Sequence, residues 1–178
     1  GIYRKQHLVP FGEFLPFPGL FRWLLDSLRI PMSDFSSGPA DQPLLTAAGQ
    51  KIGVSVCYED AFGEEIIRAL PQATLLVNVS EDAWFGNSLA PHQRIQMARL
   101  RALETGRPML RAANTGPSAV IDHRGEVTAH SRQFETTVLR TTVQPRTGVT
   151  PYGRWGNTQV LLLLFTIIGV FVLRLRGA

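Results

Sequence analysis

Cysteine is nearly missing from this chain: Cys57 stands alone among 178 residues. One cysteine excludes an internal disulfide framework and the cysteine-rich zinc folds. The four histidines, His7, His92, His123 and His130, are scattered without ligand spacing, so no metal centre is expected. No glycine-rich phosphate loop precedes a lysine, and no G-x-S-x-G elbow occurs, so nucleotide cradling and serine acyl transfer lack their signatures. Charged residues are only 18% of the chain and the net charge is +4. That is not the dense basic stripe of a nucleic-acid binder, and no nucleic-acid partner is expected. A mild positive charge suits a surface lying against anionic lipid heads. Internal repeats and low-complexity segments are absent too. What is present is 44% hydrophobic sequence, enough for one domain with a real core.

Charge disappears altogether from Trp155 to Leu173, a run of 19 residues, against the about 20 that cross a bilayer. Tyr152 and Trp155 sit before its apolar part, Val160 to Leu173, as interface anchors, and Arg174 and Arg176 follow it. The run predicts a transmembrane helix with its arginines in the cytoplasm, which puts residues 1 to about 150 on the other side. The alternative, a buried helix of a soluble core, rarely carries so unbroken an apolar run at a chain end. The start of the chain, Gly1 to Val9, reads as the inside of a domain, so a C-terminal fragment of something longer is expected. A non-cytoplasmic compartment oxidises thiols, and proteins there usually pair them. A lone thiol in that setting points to a function.

The thiol ends a strand. Ile52 to Val56 reads as buried β structure, Cys57 follows, and Ala61 to Leu70 has a helical pattern. Such a junction places one side chain at the carboxyl edge of a sheet, facing a crevice. A thiol near a helix amino terminus is favoured as thiolate, hence as nucleophile. The competing reading is a small buried hydrophobe, the commoner fate of a free cysteine.

Upstream, Tyr3, Lys5, His7 and Val9 share one face if residues 1–9 are extended, with Pro10 and Gly12 turning the chain and Glu13 in the turn. Phe14 to Ile30 is too greasy for a loop and reads as a segment lying in a membrane interface or lining a lipid entrance, or else as a helix on the core. Leu44–Ala47 and Ile52–Val56 flank Ala48-Gly49-Gln50 as a hairpin. Further strands are expected at 73–79, 109–113, 118–121, 127–130 and 136–143. A long helix is expected from Leu89 to Glu104, with Ile95, Ala98, Ala102 and Leu103 on its buried stripe and Arg94, Arg99 and Arg101 off it. Residues 147–155 read as a linker. Strand–helix alternation followed by late hairpins indicates an α/β sandwich, two sheet layers with helices outside.

The remaining chemistry is a thiol with charged neighbours. Lys5 is placed to favour the Cys57 thiolate and to stabilise an oxyanion. A general base is also needed, and His7, Glu13 and Glu59 all remain open.

Five motifs carry a resemblance: Lys5-Gln6-His7-Leu8-Val9-Pro10-Phe11-Gly12-Glu13; Cys57-Tyr58-Glu59; Asp82-Ala83-Trp84-Phe85-Gly86; Met97-Ala98-Arg99 through Arg107-Pro108; and Asn114-Thr115-Gly116. In this order they closely resemble the bacterial apolipoprotein N-acyltransferase family, within the nitrilase-like carbon–nitrogen hydrolase superfamily. The resemblance implies an α-β-β-α sandwich over residues 1–150, incomplete at its amino end. Residues 151–178 then form a linker and one transmembrane helix. It implies Cys57 as nucleophile and Lys5 as the triad lysine, with Glu13, Tyr58 and Glu59 in support and Trp84 and Phe85 at the mouth. It implies a phospholipid acyl donor, a diacylated apolipoprotein acceptor, no cofactor, and a bacterial inner membrane with the catalytic side periplasmic. The family's base is a glutamate upstream of the lysine, where only Gly1 to Arg4 stand, so these 178 residues alone are expected to be inactive. Glu81 departs from an asparagine-like position of the family. Two rivals stand beside this reading. A membrane-tethered amidase or nitrilase would release ammonia from a small amide through a polar mouth. A degenerate lipoprotein-gripping module would tolerate loss of Cys57 and Lys5.

Overall fold

Ala48 and Gly49 both adopt positive φ, 49° and 74°. That is the backbone of a tight primed hairpin turn, and it joins β1 (Leu45–Ala47) to β2 (Gln50–Val56) as antiparallel neighbours. The computed structural model describes residues 1–14 and 35–176. From the hairpin the sheet grows in chain order through β3 (Leu75–Ser80), β4 (Met109–Ala113), β5 (Ala119–Ile121) and β6 (Val127–His130). β2, β3 and β4 run parallel, while β1, β5 and β6 are antiparallel to their neighbours. The described residues therefore form one mixed six-stranded sheet with helices, an α/β fold.

Register sorts the residues of the sheet into rows. Gly53, Leu76, Met109 and Ile121 lie side by side, and with Ile66, Ala98, Ala102 and Ala119 they build the apolar core. One step toward the carboxyl edge, Ser55, Asn78 and Arg111 form a polar row on the same face. All three are buried. The sheet thus changes from oil to charge within two residues of each strand, just below Cys57.

The principal helix, α2 (Ala90–Thr105), covers this face. Its contact residues Ala98 and Ala102 are small and fully buried, so the helix lies close to the strands. Gly106 ends it in the left-handed conformation, φ 64°, with its N–H on the Ala102 and Leu103 carbonyls. The expected stripe needs correction here. Leu103 is half exposed, whereas Arg94 and Arg101 are buried. The arginines face inward because carboxylates wait for them there, a pairing that periodicity does not encode.

Other expectations also change. The helix read from Ala61 to Leu70 is broken into a 3-10 turn (Cys57–Ala61), a four-residue helix α1 (Gly63–Ile66) and a second 3-10 turn (Ile67–Ala69), because Phe62 leaves the helical region at ψ 83°. Residues 1–9 join no strand; the N–H groups of Arg4, Gln6 and His7 go to the side chains of Gln42 and Glu59 instead. Residues 136–143 form no strand, since they meet no partner strand among the described residues, and β propensity without a ladder does not make a sheet. The linker contains a short helix, α3 (Pro151–Trp155), capped by the Thr150 side chain accepting from Gly153 N–H at 2.9 Å. Of the greasy 14–30 segment, all but Phe14 lies outside the described residues.

The last helix, α4 (Thr158–Arg176), is 19 residues of mostly Leu, Ile, Val and Phe, about 30 Å long. Thr158–Leu175 has a mean hydropathy of 2.2, is long and apolar enough to cross a membrane, and is not buried against the rest of the chain. The segment leading into it is held at several points. Buried Arg107 donates to the Gly148 carbonyl at 2.7 Å, Thr150 donates to the Glu104 carbonyl, and Asn157 N–H donates to the Glu64 carboxylate at 2.6 Å.

Candidate active site

Cys57 opens the 3-10 turn at the carboxyl end of β2 with φ 54°. A side chain in that region costs on the order of 1–3 kcal/mol unless the surroundings over-determine it. Two contacts do. Glu59, two residues on, accepts the Val56 N–H at 2.6 Å and closes the turn from one side. Asn78 donates to the Cys57 carbonyl at 3.0 Å and to Ser55 Oγ at 2.9 Å from the other. The amide of Asn78 is oriented in turn by Arg111, which donates to Asn78 Oδ1 at 2.7 Å. The sulfur is left half-buried at the sheet edge, 4.0 Å from the Glu81 carbonyl.

Below it lies a cluster of four charges. Arg111 donates to Asp82 at 2.6 Å and stands 3.8 Å from Asp60. Arg94 donates to Asp60 at 3.2 Å, holds Nε 3.6 Å from Asp82, and turns Nη1 to the Cys57 sulfur at 3.7 Å. Burial pushes the Asp60 carboxyl above the ordinary carboxylate range, and the Arg94 and Arg111 guanidinium groups oppose that push. Ser80 Oγ also donates to Asp82, at 3.1 Å. Gly116 packs onto the same carboxylate so closely that a Cβ would collide with it, which accounts for the glycine after Asn114-Thr115. Asp82, Arg94 and Arg111 take no chemical part in the reading of the sequence above. Their only signal there is Asp82 within the Asp82–Gly86 motif and Arg111 in the otherwise apolar strand β4; Arg94 is one of three arginines on its helix.

The amino-terminal segment approaches from the opposite side and is hung on Glu59. This carboxylate is 2% exposed and accepts four hydrogen bonds: Val56 N–H, Gln6 N–H at 2.6 Å, His7 N–H at 3.1 Å and Tyr3 Oη–H at 3.0 Å. So saturated a carboxylate is a fastener, not a free base. Burial and the Glu59 charge raise the Tyr3 phenol well above its usual value. His7, another candidate base, sits 3.0 Å from Glu65 and stacks on Phe62 at 3.7 Å between ring centroids. Lys5 Nζ lies 2.7 Å from both Glu13 oxygens and 5.6 Å from the ring centre of Tyr58, the neighbour of Cys57. Glu13 further accepts the Val9 N–H at 2.8 Å, which closes the Val9–Phe14 turn around the ion pair. Tyr58 donates to the Leu8 carbonyl at 3.3 Å, and burial raises its phenol, with the Glu13 carboxylate adding to the rise.

The rim is formed by the loops after β3 and β4. Glu81 accepts from Ala83 N–H at 2.8 Å and from Asn114 Nδ2 at 2.6 Å, so it ties the two loops together. Beside it a 3-10 turn (Ala83–Phe85) carries Trp84, 79% exposed, and Phe85, 41% exposed. Among the described residues no three His, Cys, Asp or Glu side chains gather as a metal ion would require.

An α/β sheet here presents a thiol on a strained strand-to-turn corner, with a lysine–glutamate pair on the adjoining segment. Residues 1–152 match the family model described as carbon-nitrogen hydrolase, and the chain belongs to that family. More particularly, it is 56% identical over 171 residues to the apolipoprotein N-acyltransferase of Nitrosomonas europaea, covering 96% of this chain and 34% of that protein. It is 50% identical over 179 residues to the apolipoprotein N-acyltransferase of Methylococcus capsulatus, covering 100% of this chain and 36% of that one. The chain thus spans about a third of the length of these curated relatives. Among solved structures it is similar to Saccharomyces cerevisiae Nit3, a member of branch 10 of the nitrilase superfamily, with 22% identity and a TM-score of 0.49 over 57% of this chain and 40% of that one.

Proposed function

We propose that this chain carries the thiol-bearing part of an apolipoprotein N-acyltransferase, with residues 1–150 as catalytic domain and 151–178 as linker and membrane helix. The observation that carries the reading is the corner at Cys57: a sulfur presented at the sheet edge by a positive-φ backbone, with the Lys5 cation lodged over the next ring.

The reaction has two half-steps. The Cys57 thiolate attacks the ester carbonyl of a phospholipid acyl chain, and the carbonyl electron pair moves onto oxygen. The Lys5 ammonium and the backbone N–H following Cys57 stabilise that oxyanion. Collapse expels the lysophospholipid alkoxide, which takes the proton first removed from the thiol, and leaves a thioester on Cys57. The α-amine of a diacylglyceryl-cysteine at the start of an apolipoprotein then attacks the thioester. The amine loses a proton, and the thiolate leaves. The family resemblance implies a glutamate as proton carrier besides these residues; Glu59 and Glu13 are both engaged in fixed pairs, and His7 sits against Glu65. Glu13 holds the lysine, Glu59 fastens its segment, and Tyr58 supports its cation. Exposed Trp84 and Phe85 suit acyl chains better than a small soluble amide. The catalytic face lies on the periplasmic side of the inner membrane, and the arginine-bearing end of α4 is cytoplasmic.

The test is a hydroxylamine-labile acyl adduct on the Cys57 peptide after the complete protein meets phospholipid vesicles. Cys57→Ala should abolish the adduct and reduce acyl transfer by about a thousandfold or more. Transfer at the unaltered rate in that variant would remove Cys57 from the mechanism.

A further inference from the structure

We propose that Arg94 is the group that holds the Cys57 sulfur as an anion, acting as a direct hydrogen-bond donor to Sγ from the floor of the site. The proposal rests on Cys57 being the nucleophile.

The guanidinium presents its nitrogens to three acceptors at once. Nη2 meets Asp60 at 3.2 Å, Nε faces Asp82 at 3.6 Å, and Nη1 is left for the sulfur at 3.7 Å. The planar fork is what allows this: three acceptors in three directions from one rigid group, which a lysine ammonium on a flexible stem does not reproduce. The side chain is 6% exposed, so water competes little for the third direction. Arg94 reaches the site from α2, which is packed on the sheet through Ala98 and Ala102, so the donor is fixed by the core and not by a loop.

Neighbouring charges do not offer the same service. Asp60 and Asp82 are matched by Arg94 and Arg111, so the floor is neutral while the thiol is protonated, and the ionised sulfur becomes one more acceptor for it. Arg111 has its two Nη atoms directed to Asn78 and Asp82. Glu81 turns its carboxylate to Ala83 and Asn114. Tyr58 is bonded to the Leu8 carbonyl. Lys5 is engaged by both oxygens of Glu13. Among the described residues Arg94 is thus the cation directed at sulfur, and Lys5, held by Glu13, is assigned to the oxyanion. The two cations divide the work: one for the ground-state nucleophile, the other for the charge that develops on the substrate.

The experiment measures iodoacetamide alkylation against pH on the Cys57 peptide of the complete protein, by mass spectrometry. Arg94→Gln should move the profile to higher pH by about one unit, an about tenfold slower alkylation near neutrality. Removing a buried cation strands Asp60, so a second variant, Arg94→Gln with Asp60→Asn, keeps the floor neutral and should show the same displacement. An unshifted profile in whichever of these variants retains the unaltered thermal transition overturns the proposal. Alkylation needs no acyl donor. A profile that depends on Arg94 in a protein without acyl transfer would therefore sink the transferase reading and leave this one standing.

Discussion

The two flanks of Cys57 are built by different means. The sheet flank consists of Asn78, Arg111, Asp82, Asp60 and Arg94, side chains of strands, a helix and the turns against them, nearly all buried. Ladder register puts Asn78 beside Arg111, and the core locks both. The other flank is the segment carrying Lys5, a stretch without secondary structure that is tied by hydrogen bonds to Glu59, Gln42, Ser37 and Gly38 and by a short turn. The contrast teaches that position and charge are supplied separately here. The rigid flank sets where the sulfur is, and the other flank holds the Lys5–Glu13 pair against the ring of Tyr58, the next residue.

Three variants sharpen or break that contrast. Arg111→Ala should have the largest effect, because it strands Asp82 and weakens the pairing of Asp60 in a dry site. A loss of about 3–5 kcal/mol in denaturant unfolding is expected, with the whole sheet edge affected. A loss below about 1 kcal/mol would mean the floor is not the rigid half. Glu59→Ala should cost less, about 1–3 kcal/mol for the donors it leaves unpaired, but its damage should be local. Trypsin should then cut at Arg4 and Lys5 faster while the global transition persists, and unchanged cleavage would show that the bonds to Gln42, Ser37 and Gly38 hold the segment without Glu59. The smallest effect is set by pH. The folded state raises the Tyr3 phenol above its unfolded value near 10, so the folded protein binds more protons in that window. The stabilisation is complete below about pH 10 and declines as pH rises beyond it. Tyr3→Phe should flatten that alkaline decline in a melting-temperature series, and an identical slope would put its origin elsewhere.

Much of this was legible in the residues. Ala48-Gly49 announced the hairpin, and the apolar run into Cys57 announced the strand-to-turn corner, because turn chemistry and burial act locally. The five motifs resemble the family the comparisons show, because short runs of particular side chains in order are far more specific than composition. Arg94 was misread because helical periodicity sorts residues by polarity, and a buried arginine obeys its carboxylate partners instead. Residues 136–143 were misread because β-branched composition records a capacity for pairing, not the presence of a neighbour. Residues 1–9 form no strand, and their order comes from partners far along the chain, Glu59 and Gln42 among them, which no local pattern carries.

The fastening of residues 148–157 has a mechanical consequence. A hydrophobic helix joined through a slack hinge is a leash, and its cargo swivels. Here Arg107, Thr150 and Glu64 grip the approach to α4 from its first turn, so the joint behaves as a bracket. Whatever direction that helix takes, the bracket passes it to the sheet, so helix and sheet turn as one piece.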